Sequence, residues 1–157
     1  MSSLKHPELA AAGEKKIQWV RGFMPVLSAF EKRYSAERPL SGLRVAVSVH
    51  MEAKTAYLCR VLRACGAEVH ATGCNPLSTK DEIVAALDAG GIDVHGWFNA
   101  TEEESRQHIT AALSCRPHII IDDGGDFVSL LHGEHPEFGE SLIGGCEETT
   151  TGIHRLK

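Results

Sequence analysis

The stretch LRVAVSVHMEAKTAYLCRVLRA, Leu43 to Ala64, decides how this chain folds. Leu43, Val45, Val47 and Val49 alternate with small or polar residues, the period of two that marks a strand. Tyr57, Leu58, Val61 and Leu62 then recur at helical spacing. Between them lies a sharp turn, His50-Met51-Glu52-Ala53-Lys54-Thr55. In an open α/β sheet, a strand-to-helix turn sits at the carboxyl edge, where such folds bind ligands. A His, a Glu, a Lys and a Thr in six residues form a candidate polar lining there. The same residues also suit a capped helix start with solvated charges.

Upstream of this unit, residues 1–12 read as a loose, flexible lead-in. From Gly13 to about Ser35, Ile17, Val20, Phe23, Met24, Leu27 and Phe30 recur every three or four residues, which predicts an amphipathic helix with a kink or joint at Pro25. Downstream, Ala67 to Thr72 reads as a second strand. The loop NPLSTKDE, Asn75 to Glu82, leads into a helix ending near Ala89, with the Ser78 or Thr79 hydroxyl placed to cap it. Ile92 to Phe98 reads as a third strand. TEEESRQHITAAL opens a further helix with a capping-box pattern at Thr101 to Glu104. Pro117 to Ile121 is short and apolar, as a buried parallel strand is. A helix from about Phe127 to His132 and a short apolar turn at Leu142-Ile143 complete the pattern. Strand alternates with helix, so the expected architecture is a single α/β domain over residues 13–157, a parallel sheet flanked by helices with right-handed crossovers.

The composition narrows the function. A chain of 157 residues, 43% hydrophobic, has material for one substantial core. The formal net charge is -5 and no Lys/Arg run stands out, so no nucleic-acid partner is expected. Five scattered cysteines without a C-x-x-C point to reduced thiols in a cytoplasmic protein. No apolar run approaches the ~18 residues of a membrane span, and no membrane association is expected. His132-Gly133-Glu134-His135 looks metal-like, but a catalytic zinc takes three protein ligands and no third is identifiable, so no metal is expected. The G-x-G-x-x-G and G-x-x-x-x-G-K phosphate loops are both absent.

Two further turns carry chemistry. Asp122-Asp123-Gly124-Gly125-Asp126 directly follows the fourth strand. Three carboxylates in five residues repel one another, which raises the pKa of at least one if they are partly buried and makes a usable acid or base near neutral pH. The plainer alternative has Asp122 capping the next helix and Asp126 facing water. Glu147-Glu148-Thr149-Thr150-Thr151-Gly152 offers two acids and three hydroxyls, either a helix cap or a row of groups for a polyhydroxylated ligand. Three such turns from separate strands are expected to converge at one sheet edge.

HMEAKTA (His50 to Ala56), NPLST (Asn75 to Thr79), DDGGD (Asp122 to Asp126) and EETTTG (Glu147 to Gly152), with IQWVRGFMPVL (Ile17 to Leu27), resemble the N-terminal substrate-binding part of the adenosylhomocysteinase family. The resemblance implies a Rossmann-like substrate-binding domain whose NAD-binding domain is absent from this chain. It further implies NAD as cofactor, a nucleoside thioether substrate and a homo-oligomer, a tetramer, when complete. By resemblance His50, Asp123 and Glu148 are catalytic: Asp123 is a carboxylate of the acid/base group, His50 handles a proton near the leaving sulfur, and Glu148 holds the ribose hydroxyls. Glu52, Lys54 and Thr55 join Asp123 and Glu148 in binding substrate, and Thr149, Thr150 and Thr151 touch the nicotinamide ribose. A Lys and an Asp that the family carries further downstream are lacking, so the chain by itself is expected to bind weakly and turn over nothing.

One departure concerns the base. Where the common form of the family carries a Thr and a Glu that read adenine, this chain has Glu52 and Lys54. Hypoxanthine bears hydrogen on N1 and a carbonyl at position 6, so Glu52 accepting from N1 and Lys54 donating to O6 would match it. A site built for one pattern rejects the other because buried groups are left unpaired. Forms with this pair resemble archaeal and thermophilic members. The alternatives are that Glu52 and Lys54 pair with each other and adenine is accepted, or that the chain is a stand-alone nucleoside-binding or regulatory module. A phospho-receiver also shows acids at a sheet edge, but its acceptor follows the third strand, whereas DDGGD follows the fourth.

Overall fold

Alternation along β1 (Arg44–Ser48) sorts the core into two faces, as side chains on a strand point to opposite sides. The computed structural model describes residues 1–157. Val45 and Val47 enter one cluster with Ile17, Tyr57, Val61, Ile83 and Leu87, while Ala46 enters a second with Ile109, Leu113, Ile120 and Phe127. Each fully buried aliphatic side chain contributes about 1.5–3 kcal/mol, and the two clusters hold the layers together.

Four further strands join β1 in one parallel sheet: β2 (Glu68–Thr72), β3 (Asp93–His95), β4 (Ile119–Asp122) and β5 (Gly144–Glu147), in the order β3-β2-β1-β4-β5, so that β1 pairs with β2 and β4. Helices α1 (Ala10–Arg21), α3 (Ala53–Ala64) and α4 (Asp81–Ala89) cover the first face; α5 (Glu102–Leu113) and α6 (Asp126–His132) cover the second. The chain runs outward from β1 to β3 and then crosses back to β4. Right-handed crossovers therefore put the earlier and later helices on opposite faces. The reversal between β1 and β4 makes a switch point, the place where open α/β sheets hold ligands.

The expected α/β parallel sheet is the observed one, and the departures from the local reading have identifiable causes. The helix expected over Gly13 to Ser35 is two helices, α1 and α2 (Pro25–Tyr34). Pro25 is the first residue of α2, and Met24 is held out of the helical region, as a residue before proline is. No residue of α2 is buried; Val26 and Phe30 are exposed along the wall of a cavity described below. Residues 1–12, read as a loose lead-in, are docked: the amide of Ser3 donates to the Val94 carbonyl at 3.0 Å and the Gly96 amide to the Ser3 carbonyl at 3.0 Å. The third strand stops at His95 because Gly96, at φ 150°, turns the backbone away.

Ser78 and Thr79 do not cap α4. Both hydroxyls donate to the Asn75 carbonyl, at 3.0 and 3.1 Å, and close the NPLST loop on itself. The capping box at Thr101 and Glu104 forms as expected. β5 has no counterpart in the local reading, since Gly144-Gly145 is a poor strand sequence; pairing with β4 supplies the order that propensity does not. Gly145 is needed there, because a Cβ at that position would stand 2.6 Å from Ile120 Cγ1. No helix is long and apolar enough to cross a membrane.

Candidate active site at the carboxyl edge

The last rung of the sheet is polar from edge to edge. Parallel register aligns Ser48 with Thr72 on one side and with Asp122 on the other, Asp122 with Glu147, and Thr72 with His95. The turns that follow these residues carry the side chains singled out from the sequence, and the strands deliver them to one lip.

His50 leaves the end of β1 with its side chain half exposed, and its Nδ1 lies 2.5 Å from Ser78 Oγ. That contact turns the other ring nitrogen, Nε2, toward Asp123, whose Oδ2 lies 3.6 Å away. Asp123 is only 11% exposed, and the same Oδ2 accepts the Cys74 thiol at 3.2 Å. Cys74 appeared from the sequence only as one of the scattered thiols, and the one signal for it is that it adjoins the NPLST loop. Burial, reinforced by Asp123, pushes its pKa far up and keeps it a thiol.

Asp122 performs a different task from its neighbour. It is fully buried, its Oδ1 accepts from the Asp123 amide at 3.1 Å, and its Oδ2 accepts from the Phe127 amide at 2.9 Å, which fixes the entry into α6. Burial raises its pKa to about 6, with the Glu147 and Asp126 charges adding to the rise. One carboxyl of the acidic turn is lifted, chiefly by burial rather than by crowding within the turn, and it is the capping one. Asp126 does not simply face water: its Oδ1 accepts from Arg155 at 2.9 Å.

The Asp122 shift sets a pH dependence. The folded state favours the neutral carboxyl, so between pH about 4 and 6 it binds more protons than the unfolded chain, and stability falls as pH rises through that window. Compared with Asp122→Asn, the parent protein is expected to lose about 2 kcal/mol of stability between pH 4 and 7, a figure checked by urea unfolding of both proteins across that range. An unchanging difference would remove the shift.

Glu147 and its glycine partners tie two of the turns together. Its Oε1 accepts from the Gly124 amide at 2.9 Å and from both the amide and the hydroxyl of Thr149 at 2.8 Å. Burial works against the charge, but the Gly124 and Thr149 donors outweigh it and lower the pKa. Gly152 closes over this carboxylate, where a Cβ would meet the Glu147 side chain at 2.1 Å. The acidic turn after β4 and the threonine-rich turn after β5 are thus locked to each other through a residue whose role the local sequence does not reveal.

A cavity of about 810 Å³ opens beside this lip. His50, Glu52, Lys54, Thr55 and Glu148 supply its polar wall, and the α2 segment with Val49, Leu58 and Ile121 its apolar one. Asp123 stands behind His50 rather than in that wall. Thr55 donates to the His50 carbonyl at 2.7 Å and braces the turn. Glu52 and Lys54 lie 3.0 Å apart, paired and partly exposed, an arrangement that holds its members weakly. Thr149 caps the last helix, α7 (Thr150–Arg155), by accepting from the Gly152 amide at 3.1 Å, so its hydroxyl is committed to the fold. Thr150 and Thr151 present exposed hydroxyls. His132 and His135 gather no third metal ligand; His135 stacks on Phe138 instead.

A parallel sheet with acid, imidazole and ammonium groups collected at its switch point, beside a half-apolar cavity, defines a Rossmann-like small-molecule-binding domain. The chain belongs to the S-adenosyl-L-homocysteine hydrolase family, whose model matches residues 2–140. It is 51% identical over 154 residues to S-inosyl-L-homocysteine hydrolase of Methanopyrus kandleri, covering 98% of this chain and 36% of that protein. The S-inosyl-L-homocysteine hydrolase of Methanocaldococcus jannaschii is 44% identical over 157 residues, 100% of this chain and 38% of that protein. The adenosylhomocysteinase of Pyrococcus abyssi is 46% identical over 154 residues, 98% of this chain and 36% of that protein. The chain spans little more than a third of the length of these curated relatives.

Proposed function

We propose that this chain is the nucleoside-binding portion of an NAD-dependent hydrolase that cleaves the thioether of S-inosyl-L-homocysteine, and of S-adenosyl-L-homocysteine less well. The single observation that carries the reading is the Glu52 and Lys54 pair in the wall of a cavity that also holds His50 and Glu148. One member accepts and its neighbour donates, in the order that hypoxanthine requires. The pair is weak and partly exposed, so opening it toward a base costs little. The family membership and the names of the relatives support the same substrate class.

Within that reading Glu148 takes the ribose hydroxyls, and the apolar α2 wall lies against the rest of the nucleoside. Bound NAD supplies reversible hydride removal from the ribose 3′-carbon, which acidifies the 4′-hydrogen. Exposed hydroxyls at Thr150 and Thr151 suit the sugar edge of that cofactor, and the lack of a glycine phosphate loop agrees with its being held mainly outside these residues. Asp123 and His50 are the groups that move protons at the 4′-carbon and at the departing sulfur. The complete protein acts in the cytoplasm, as a homo-oligomer.

Rates of hydrolysis of the inosyl and adenosyl thioethers by the complete enzyme test the proposal. A higher kcat/KM for the inosyl compound is expected. Cleavage of neither compound would overturn the function, and a large adenosyl preference would overturn the base assignment alone.

A further inference from the structure

His50, Cys74 and Asp123 come from three separate turns, yet one ligand atom from each lies within 4.8 Å of the other two. We infer that these three side chains form a binding site for a thiophilic divalent cation, Zn2+ in particular, which occupies the catalytic lip and blocks it. The donor set is one nitrogen, one sulfur and one oxygen, a mixture suited to zinc and poorly suited to Mg2+ or Ca2+. Tetrahedral zinc with bonds of about 2.0–2.3 Å holds its ligand atoms roughly 3.4–3.6 Å apart. The separations here are 3.2 Å for sulfur to oxygen and 3.6 Å for nitrogen to oxygen, so small side-chain rotations close the site.

The surrounding contacts prepare the ligands. Ser78 at His50 Nδ1 leaves Nε2 to face the metal, the outer hydrogen bond that metal-binding imidazoles use. A proton now lies between the Cys74 sulfur and the Asp123 carboxylate. Zn2+ takes its place: the S–H bond breaks, an S–Zn bond forms on the same electron pair, and the proton goes to solvent. No electrons are transferred. Three protein ligands leave the fourth position open to water on the half-exposed His50 side. Binding rests on the geometry alone; inhibition also rests on the proposed function, because it consumes the proton-handling pair.

Titration of the reduced 157-residue chain with Co2+, followed by its thiolate-to-cobalt absorption and by displacement with Zn2+, tests the site. One equivalent is expected, with one proton released from the thiol. Cys74→Ser and His50→Ala are each expected to weaken Zn2+ binding by about 10²-fold or more, and Ser78→Ala by about 10-fold. Cys146→Ser, which removes an exposed thiol elsewhere, leaves binding unchanged. Absence of the absorption, its survival in Cys74→Ser, or its loss in Cys146→Ser overturns the site. In the complete enzyme, micromolar Zn2+ is expected to inhibit the parent and to spare Cys74→Ser. Zinc bound at the site without inhibition overturns the blocking role, while an enzyme inactive without zinc overturns the proposed function and leaves the metal site standing.

Discussion

Asp123→Asn in the complete enzyme is expected to lower kcat by about 10²–10⁴-fold, the range that a positioned acid or base contributes. The substitution keeps the shape of the side chain and one acceptor oxygen, so the Cys74 thiol retains a partner. It removes the ability to take up a proton and turns an amide toward His50, whose Nε2 lies 3.6 Å from the carboxylate. Unfolding temperature is expected to move little, since Asp123 carries none of the backbone bonds that cap α6; those belong to Asp122. Exchange of the 4′-hydrogen with solvent deuterium in a single-turnover experiment is the sharper readout. Loss of exchange with binding preserved places Asp123 at the proton transfer; unchanged exchange and kcat would assign that step to another group.

The second large effect is on the choice of base. Exchanging the two residues, Glu52→Lys with Lys54→Glu, preserves both charges and their mutual ion pair and reverses only the order of acceptor and donor along the turn. If the pair reads the base edge, the ratio of kcat/KM for inosyl over adenosyl thioether is expected to fall by about 10²–10³-fold, because each mismatched group left unpaired costs about 1–3 kcal/mol. If the two side chains serve only each other, at the 3.0 Å seen here, the ratio stays where it is. The comparison is a ratio for one protein, so changes in folding or expression cancel.

Both experiments rest on residues whose positions were legible in the sequence to different degrees. His50 and Asp123 stand directly after strands that periodicity identifies, and in a parallel sheet the end of every strand faces the same lip. Their meeting follows from topology, and the structure brings them together. Glu147 is the contrary case. It reads as one of two adjacent acids, and nothing local says that it turns inward to bind Gly124 and Thr149 while Glu148 faces the cavity. On a strand, neighbouring residues take opposite faces, so which acid turns inward depends on where the strand lies, and β5 was not expected there.

The sequence by itself determined the alternation of strands and helices, the parallel sheet, and the turns that carry the polar groups, because each of these follows from periodicity and capping within a dozen residues. The Thr101 to Glu104 capping box and the apolar β4 are read directly from such local rules. Only the tertiary structure decided that Gly144–Glu147 is a strand, that the first residues dock on β3, and that Cys74 lies against Asp123 across 49 residues of chain. Those features depend on backbone pairing and side-chain contact between segments far apart in sequence. Their free energy comes from the partner segment and leaves no mark in the local pattern.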